Sequence, residues 1–142
     1  MRNNREPAVW AQLAVLCAAQ GRTAEAEQAL EQALAFELDD APLLRSLGEA
    51  LLGVGLWARA EACLRRGLVV SPGEPSLEFL LASALREQHA FDGALREFKK
   101  ALGTCEADAA GGPDGLAAEC RKQLRSLLRE QLGRPEEAAA FA

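Results

Sequence analysis

The chain has 142 residues and a mass of 15.2 kDa, a length that suits one domain burying about two-thirds of its unfolded surface. Hydrophobic residues make up 49% of it, tyrosine is absent and aromatics reach only 5%. A core must therefore come from Ala and Leu, both strong helix formers, and an all-α chain is expected. A formal charge of −5 with a pI near 5.0 sets a repulsive background for DNA or RNA, whose phosphates call for clustered Lys and Arg, so no nucleic-acid partner is expected.

Met1 to Glu6 reads as a flexible polar arm of the kind that frays. Pro7 to Gly21 hold no charged side chain and follow Arg2 and Arg5, which imitates a secretory or lipoprotein leader ending at Cys17. Glu6 interrupts that basic start and Leu16 is too bulky for the cleavage position. The stretch is instead a helix over Pro7 to Ala19, and the expected compartment is the cytoplasm. A turn at Gln20, Gly21 and Arg22 leads to a second helix, Thr23 to Phe36, with Gly21 suited to the left-handed closing position and Thr23 to the N-cap. The next helix pair runs from Ala41 to Glu74, broken near Gly53 to Leu56 and closed by Ser71, Pro72 and Gly73. A third pair opens at Pro75 or Ser76, turns at His89 and ends near Leu102 or Gly103. Ala107 to Gly115, rich in Gly and Pro, then separates it from a long helix over Leu116 to Leu132, and Gly133 to Glu137 start a last short one. No stretch reaches the roughly 18 to 20 apolar residues that a bilayer span needs.

The first three pairs are in register. Segments beginning at Pro7, Ala41 and Pro75 are spaced by 34 residues. Trp10 matches Leu44, and the columns Leu13/Leu47/Leu81, Ala14/Gly48/Ala82 and Cys17/Leu51/Leu85 follow at helical spacing. After the turn, Ala26/Ala60/Ala94, Leu30/Leu64/Phe98 and Ala33/Gly67/Ala101 repeat in the second helices. Two helices cross closely only where the facing side chain is Ala or Gly, and large neighbours fill the flanking gaps. Such a unit buries its apolar face by stacking on the next one, which produces a solenoid.

These columns, with Trp57 and Phe91 opening second helices and Pro72 closing the middle unit, resemble the tetratricopeptide repeat family over about residues 7 to 108. Thr23 in place of an aromatic, Glu78 in place of a large apolar residue, and Leu38 and Glu106 where the closing proline belongs depart from it. The resemblance implies a right-handed α-solenoid: an arm at 1–6, units at 7–40, 41–74 and 75–108, and a linker with a truncated fourth unit or capping helices at 109–142. It also implies that the first helix of each unit lines a concave groove. Ala11, Gln12, Val15 and Ala18 would come from the first unit, Arg45, Glu49 and Leu52 from the second, and Phe79, Ser83 and Arg86 from the third. This mostly small and apolar lining suits an apolar or amphipathic peptide, as in a small chaperone or adaptor of a secretion or assembly system. Occupation of the same face by the chain's own last helix, or by a second copy in a homo-oligomer, is the competing expectation. Family members that clamp the acidic C-terminus of heat-shock proteins use Lys, Asn and Arg on this face. Here the matching places hold Ala11, Val15, Ser46, Ser76 and Leu80, so that clamp is absent.

Chemistry is not signalled. There is no catalytic Ser, His and Asp grouping, no phosphate-cradling glycine loop, no cofactor motif and no metal spacing among Cys17, Cys63, Cys105 and Cys120. The cysteines are expected to be buried small side chains. His89, the only histidine, sits in a turn slot where positive φ is tolerated. Arg121, Arg125 and Arg129 line one face of the last long helix beside Lys122. They are either a solvated outer face or a basic end to the groove.

Overall fold

The computed structural model describes residues 6–35, 40–107 and 115–141. Most of the N-terminal arm, Phe36 at the expected end of the second helix, Leu38 and most of the Gly/Pro linker lie outside the described residues. The elements are α1 (Glu6–Ala19), α2 (Thr23–Leu34), α3 (Ala41–Gly53), α4 (Trp57–Val70), α5 (Pro75–Glu87), α6 (Phe91–Ala107) and α7 (Leu116–Ser126). After α7 come one π-helical turn (Leu127–Gln131), the short α8 (Pro135–Ala138) and a 3-10 turn (Ala139–Phe141). No strand occurs among the described residues. The chain divides into two compact units, Met1–Pro72 and Gly73–Ala142.

Hairpin turns set the period through hydrogen bonds. At the end of each first helix the amide three residues beyond the last helical residue closes back onto the carbonyl five residues earlier. Arg22 N–H donates to Cys17 O at 2.8 Å, Leu56 to Leu51 at 2.9 Å and Ala90 to Leu85 at 2.9 Å, the wide loop of a Schellman closure. The residue in between must turn left-handed: Gly21 has φ 77°, Gly55 83° and His89 63°. His89 is the one non-glycine with positive φ among the described residues. Its imidazole stacks edge-on to Phe91 with centroids 5.5 Å apart. Thr23 is the first residue of α2 rather than its cap. Arg22 holds the cap position without a side-chain bond. The side-chain cap found instead is Asp40, whose carboxylate accepts Leu43 N–H at 3.2 Å.

In the first unit α1 packs on α2 and on α3, and α3 packs on α4. One cluster joins Ala11 and Ala14 of α1, Ala29, Leu30 and Ala33 of α2, Leu44, Leu47 and Leu51 of α3, and Ala60 and Cys63 of α4. The second helices are also tied directly. Arg59 Nη2 reaches Glu31 Oε1 at 3.2 Å, and Arg66 Nη1 donates to Leu34 O at 3.3 Å. The notch columns behave as their size demands. Ala26, Ala60 and Ala94 are fully buried, as are Leu30, Leu64 and Phe98. A Cβ on Gly48 would stand 2.5 Å from Leu64 Cδ2 and 2.7 Å from its Cγ.

The column Leu13/Leu47/Leu81 splits. Leu47 and Leu81 are buried, whereas Leu13 is 42% exposed, because among the described residues no repeat stands before α1 to cover it.

In the second unit α5 packs on α6 and α6 on α7. Phe98 meets Phe79 with ring centroids 5.4 Å apart. Helix α6 continues past Gly103 to Ala107, beyond the expected end. Cys105 on the added turn is fully buried, and burial outweighs the roughly 1 kcal/mol that glycine costs inside a helix. Glu78, the carboxylate in an apolar slot, is 3% exposed. Thr104 on the same added turn answers it, with its hydroxyl 3.1 Å from Glu78 Oε1 and 2.9 Å from Lys100 O.

Gly48→Ala measures the notch. Overpacking against Leu64 costs about 1–3 kcal/mol and opposes a helix-propensity gain of up to about 1 kcal/mol. The variant should unfold at lower urea than the parent, and adding Leu64→Val should recover part of the loss.

Candidate functional site

The candidate face falls on first helices: α3 and α5 are amphipathic, whereas α1 is apolar on its buried and its exposed sides alike. On α1, Ala11 is fully buried and Ala18 is 3% exposed. Both sit in the core of the first unit, which removes them from an open face. Alanine in a notch column is what lets α1 approach its neighbours, so the same property that suggested a small groove lining draws these two inward. Gln12 stays exposed and Val15 half-buried. On α3, Arg45 and Leu52 are half-buried and Glu49 is exposed. Val15 and Leu52 pack against the same cluster, and α1 and α3 are in contact, so the first unit brings these two apolar side chains onto one base.

Arg45 and Glu49 supply the charge. Arg45 Nε lies 3.9 Å from Glu49 Oε1, an ion-pair distance too long for a hydrogen bond. That Nε is buried with no hydrogen-bond acceptor. Ser46 turns back on its own helix, donating to Pro42 O at 3.1 Å.

On α5 of the second unit, Phe79, Ser83 and Arg86 are all half-buried. Phe79 leans on Phe98, and Ser83 donates to Phe79 O at 3.1 Å. The Arg86 guanidinium donates to Gln123 of α7 and lies 3.5 Å from Glu87. Within the second unit, α5 is thus engaged at Arg86 by the chain's own α7.

By its spacing alone the arginine stripe is either a solvated face or a basic groove end. Two of its members prove to be fasteners. Arg121 Nη2 reaches Glu106 Oε2 at 2.7 Å, which ties α7 to the end of α6. Arg125 Nη1 donates to Phe141 O at 3.0 Å and fixes the last turn. Arg129 and Lys122 are exposed.

The thiols are poor nucleophiles here. All four cysteines are buried. Desolvation pushes Cys63 up to about 11 against the pull of Arg66 and Arg59. Burial, then Cys105, Glu119 and Glu78, push Cys120 up to about 12. A protonated, buried thiol behaves as a small apolar side chain. No group of three His, Cys, Asp or Glu able to hold a metal ion occurs among the described residues, and no helix there is long and apolar enough to cross a membrane.

The family model described as Cilia and flagella-associated protein 70 C-terminal domain matches residues 1–124. No curated protein matches significantly. Among solved structures, PcrH from Pseudomonas aeruginosa in complex with the chaperone binding region of PopD is similar with TM-score 0.70 and 20% identity, over 92% of this chain and 96% of that one. A T3SS complex from Aeromonas hydrophila gives TM-score 0.70 and 19% identity, over 91% and 85%. The Sgt2 TPR domain from Aspergillus fumigatus gives 0.62 and 18%, over 87% and 82%. At these identities the likeness is one of fold, an all-α tetratricopeptide solenoid.

The Glu78 carboxyl gives a pH test. Burial raises its pKa above the ordinary 4.5, opposed by the Thr104 hydrogen bond and Lys100 and assisted by Glu97 and Glu74. A raised carboxyl pKa means that ionisation penalises the folded state, and the penalty is relieved as pH falls through the folded pKa. Glu78→Gln, which keeps an acceptor for Thr104, should raise the Tm at pH 7. That gain should shrink as pH falls toward 4.5, measured by thermal melts across the range.

Proposed function

Because the chain belongs to the Cilia and flagella-associated protein 70 C-terminal domain family, a tetratricopeptide-repeat family, we propose that it is a non-enzymatic interaction domain that holds an apolar or amphipathic peptide of a partner protein against the α1–α3 face. In this reading it serves as a small cytoplasmic adaptor or chaperone. In the same reading an arm at 1–6 precedes repeats over 7–40, 41–74 and 75–108, and 109–142 hold a linker with a truncated fourth unit or capping helices.

One observation carries the reading. Val15 and Leu52, from adjacent first helices, share one cluster yet remain half-buried. Apolar side chains left with water on one side and a packed base on the other are anchor sites for an incoming side chain, which gains about 25 cal/mol for each Å² it covers. Gln12, Arg45 and Glu49 are the polar residues of the same two helices and supply the rim of a helix-in-groove mode. Arg45 Nε, buried without an acceptor, favours a ligand that brings a carbonyl or carboxylate once Arg45 swings outward. Precedent for the class of ligand comes from proteins of similar fold: PcrH is solved with the chaperone binding regions of PopD and of PopB.

The test starts from peptides of about sixteen residues selected by display against the native chain. Val15→Glu and Leu52→Glu should each weaken the selected peptides by roughly tenfold or more, about 1.4 kcal/mol. Circular dichroism should stay helical, and Ala118→Glu, exposed on α7, should bind as the parent does. Unchanged affinity in both α1–α3 variants overturns the proposal.

A further inference from the structure

Helix α1 exposes a second apolar feature, apart from the α1–α3 face. Val9, Leu13 and Leu16 follow each other at i, i+4 and i+7, which sets them on one side of the helix, and they are 58%, 42% and 58% exposed. Gln12 and Gln20 beside them are exposed and uncharged, and no charged side chain falls between Pro7 and Gly21. A contiguous strip of large apolar side chains marks an interaction site.

The repeat itself identifies what covers it. Moved along by the 34-residue period, the three positions become Leu43, Leu47 and Ala50 in α3, then Leu77, Leu81 and Ala84 in α5. Leu47 is 0% exposed, Leu77 and Leu81 1%, and Ala84 0%. In the first unit the covering surface can be read off directly. Leu43 and Leu47 seat on the cluster that receives Ala11 and Ala14 from α1 and Ala29, Leu30 and Ala33 from α2. Ala50 rests on Cys17, Ala18 and Ala26. The receptor for this register is therefore an antiparallel helical hairpin with an alanine-notched face.

Neither the first nor the last hairpin of a second copy offers such a face among its described residues. The α1–α2 notch is occupied by α3. The last hairpin, α7–α8, turns Glu119, Lys122, Arg129, Glu130, Glu136 and Glu137 to solvent.

We infer that the outward face of α1 is a stacking surface for a tetratricopeptide-type hairpin of a partner protein, which docks in the geometry that α1–α2 offers to α3. Partner and chain then form one continuous stack. The contact is apolar at its centre, with glutamine at its edges, so its strength depends little on salt. It is separate from peptide capture on Val15 and Leu52, and each is testable without the other.

The probe is the chain's own receptor surface. Residues 7–40 are placed in frame ahead of the full chain, so that a copy of the α1–α2 hairpin stands one period upstream. In the extended chain, amide exchange along α1 should slow by tenfold or more and the Tm should rise by roughly 4 °C or more. The double substitution Leu13→Glu, Leu16→Glu should remove both gains while moving the Tm of the unextended chain by less than about 2 °C. Absence of protection in the extended chain, or an unextended chain that unfolds on the double substitution, overturns the inference. Sedimentation supplies the remaining arm. A monomer at micromolar concentration supports a partner's hairpin, whereas a dimer that Leu16→Glu dissolves assigns the stripe to a second copy and overturns it.

Discussion

Close helix crossing at alanine and glycine notches is the constraint on which the rest of this fold depends. Gly48 shows it most plainly: its missing Cβ is the room that Leu64 occupies, with the added carbon falling 2.5 Å from Cδ2. Ala26, Ala60 and Ala94 repeat the device in the second helices at zero exposure. An Ala/Leu composition with few aromatics buries little area per side chain, so the chain compensates by bringing backbones together, where many weak dispersion contacts accumulate. Large side chains from adjacent turns then meet across the notch, and an ordered core results without tyrosine and with only 5% aromatics.

The same constraint sorts the surface. Residues too small to be anything but notch, such as Ala11 and Ala18, go inward, while Val15 and Leu52 are wide enough to rest on the cluster and still meet solvent. Charge takes a supporting part. The ion pairs Arg59–Glu31 and Arg121–Glu106 connect helices, but exposed pairs of this kind contribute at most about 1 kcal/mol. The fasteners of the C-terminal end act mainly through geometry. Arg125 holds the carbonyl of Phe141, and Arg121 joins the two helices that flank the Gly/Pro segment.

Where the repeat is imperfect, neighbours adjust. Glu78 takes an apolar slot in α5, and α6 runs one turn beyond Gly103 so that Thr104 can reach the buried carboxylate. The closing turn before Gly133 widens into a π-helical turn, with Leu132 N–H bonding Leu127 O at 3.0 Å and Arg134 N–H reaching Leu128 O at 2.6 Å. The turns at Gly21, Gly55 and His89 keep the narrower Schellman spacing. The C-terminal hairpin therefore departs from the regular repeat in its turn as well as in its sequence.

Local bonding made the hairpins legible from the residues alone. Helix starts at Ala41 and Pro75, left-handed turns at Gly21, Gly55 and His89, and the identity of the notch columns all follow from contacts a few residues apart or from a period visible in the string of letters. Exposure is a different quantity, because it depends on which neighbour arrives from far along the chain. Leu13, Leu47 and Leu81 are the same letter at the same offset, yet one of them faces water. Arg121 and Arg125 share a stripe with Arg129, yet only a tertiary fold could direct one to Glu106 and the other to Phe141. The sequence by itself determined the unit and its spacing, since both are set by steric size and backbone hydrogen bonds within a hairpin. Only the tertiary structure decided which faces are sealed and which stay open, since that depends on whether each hairpin finds another to lie against.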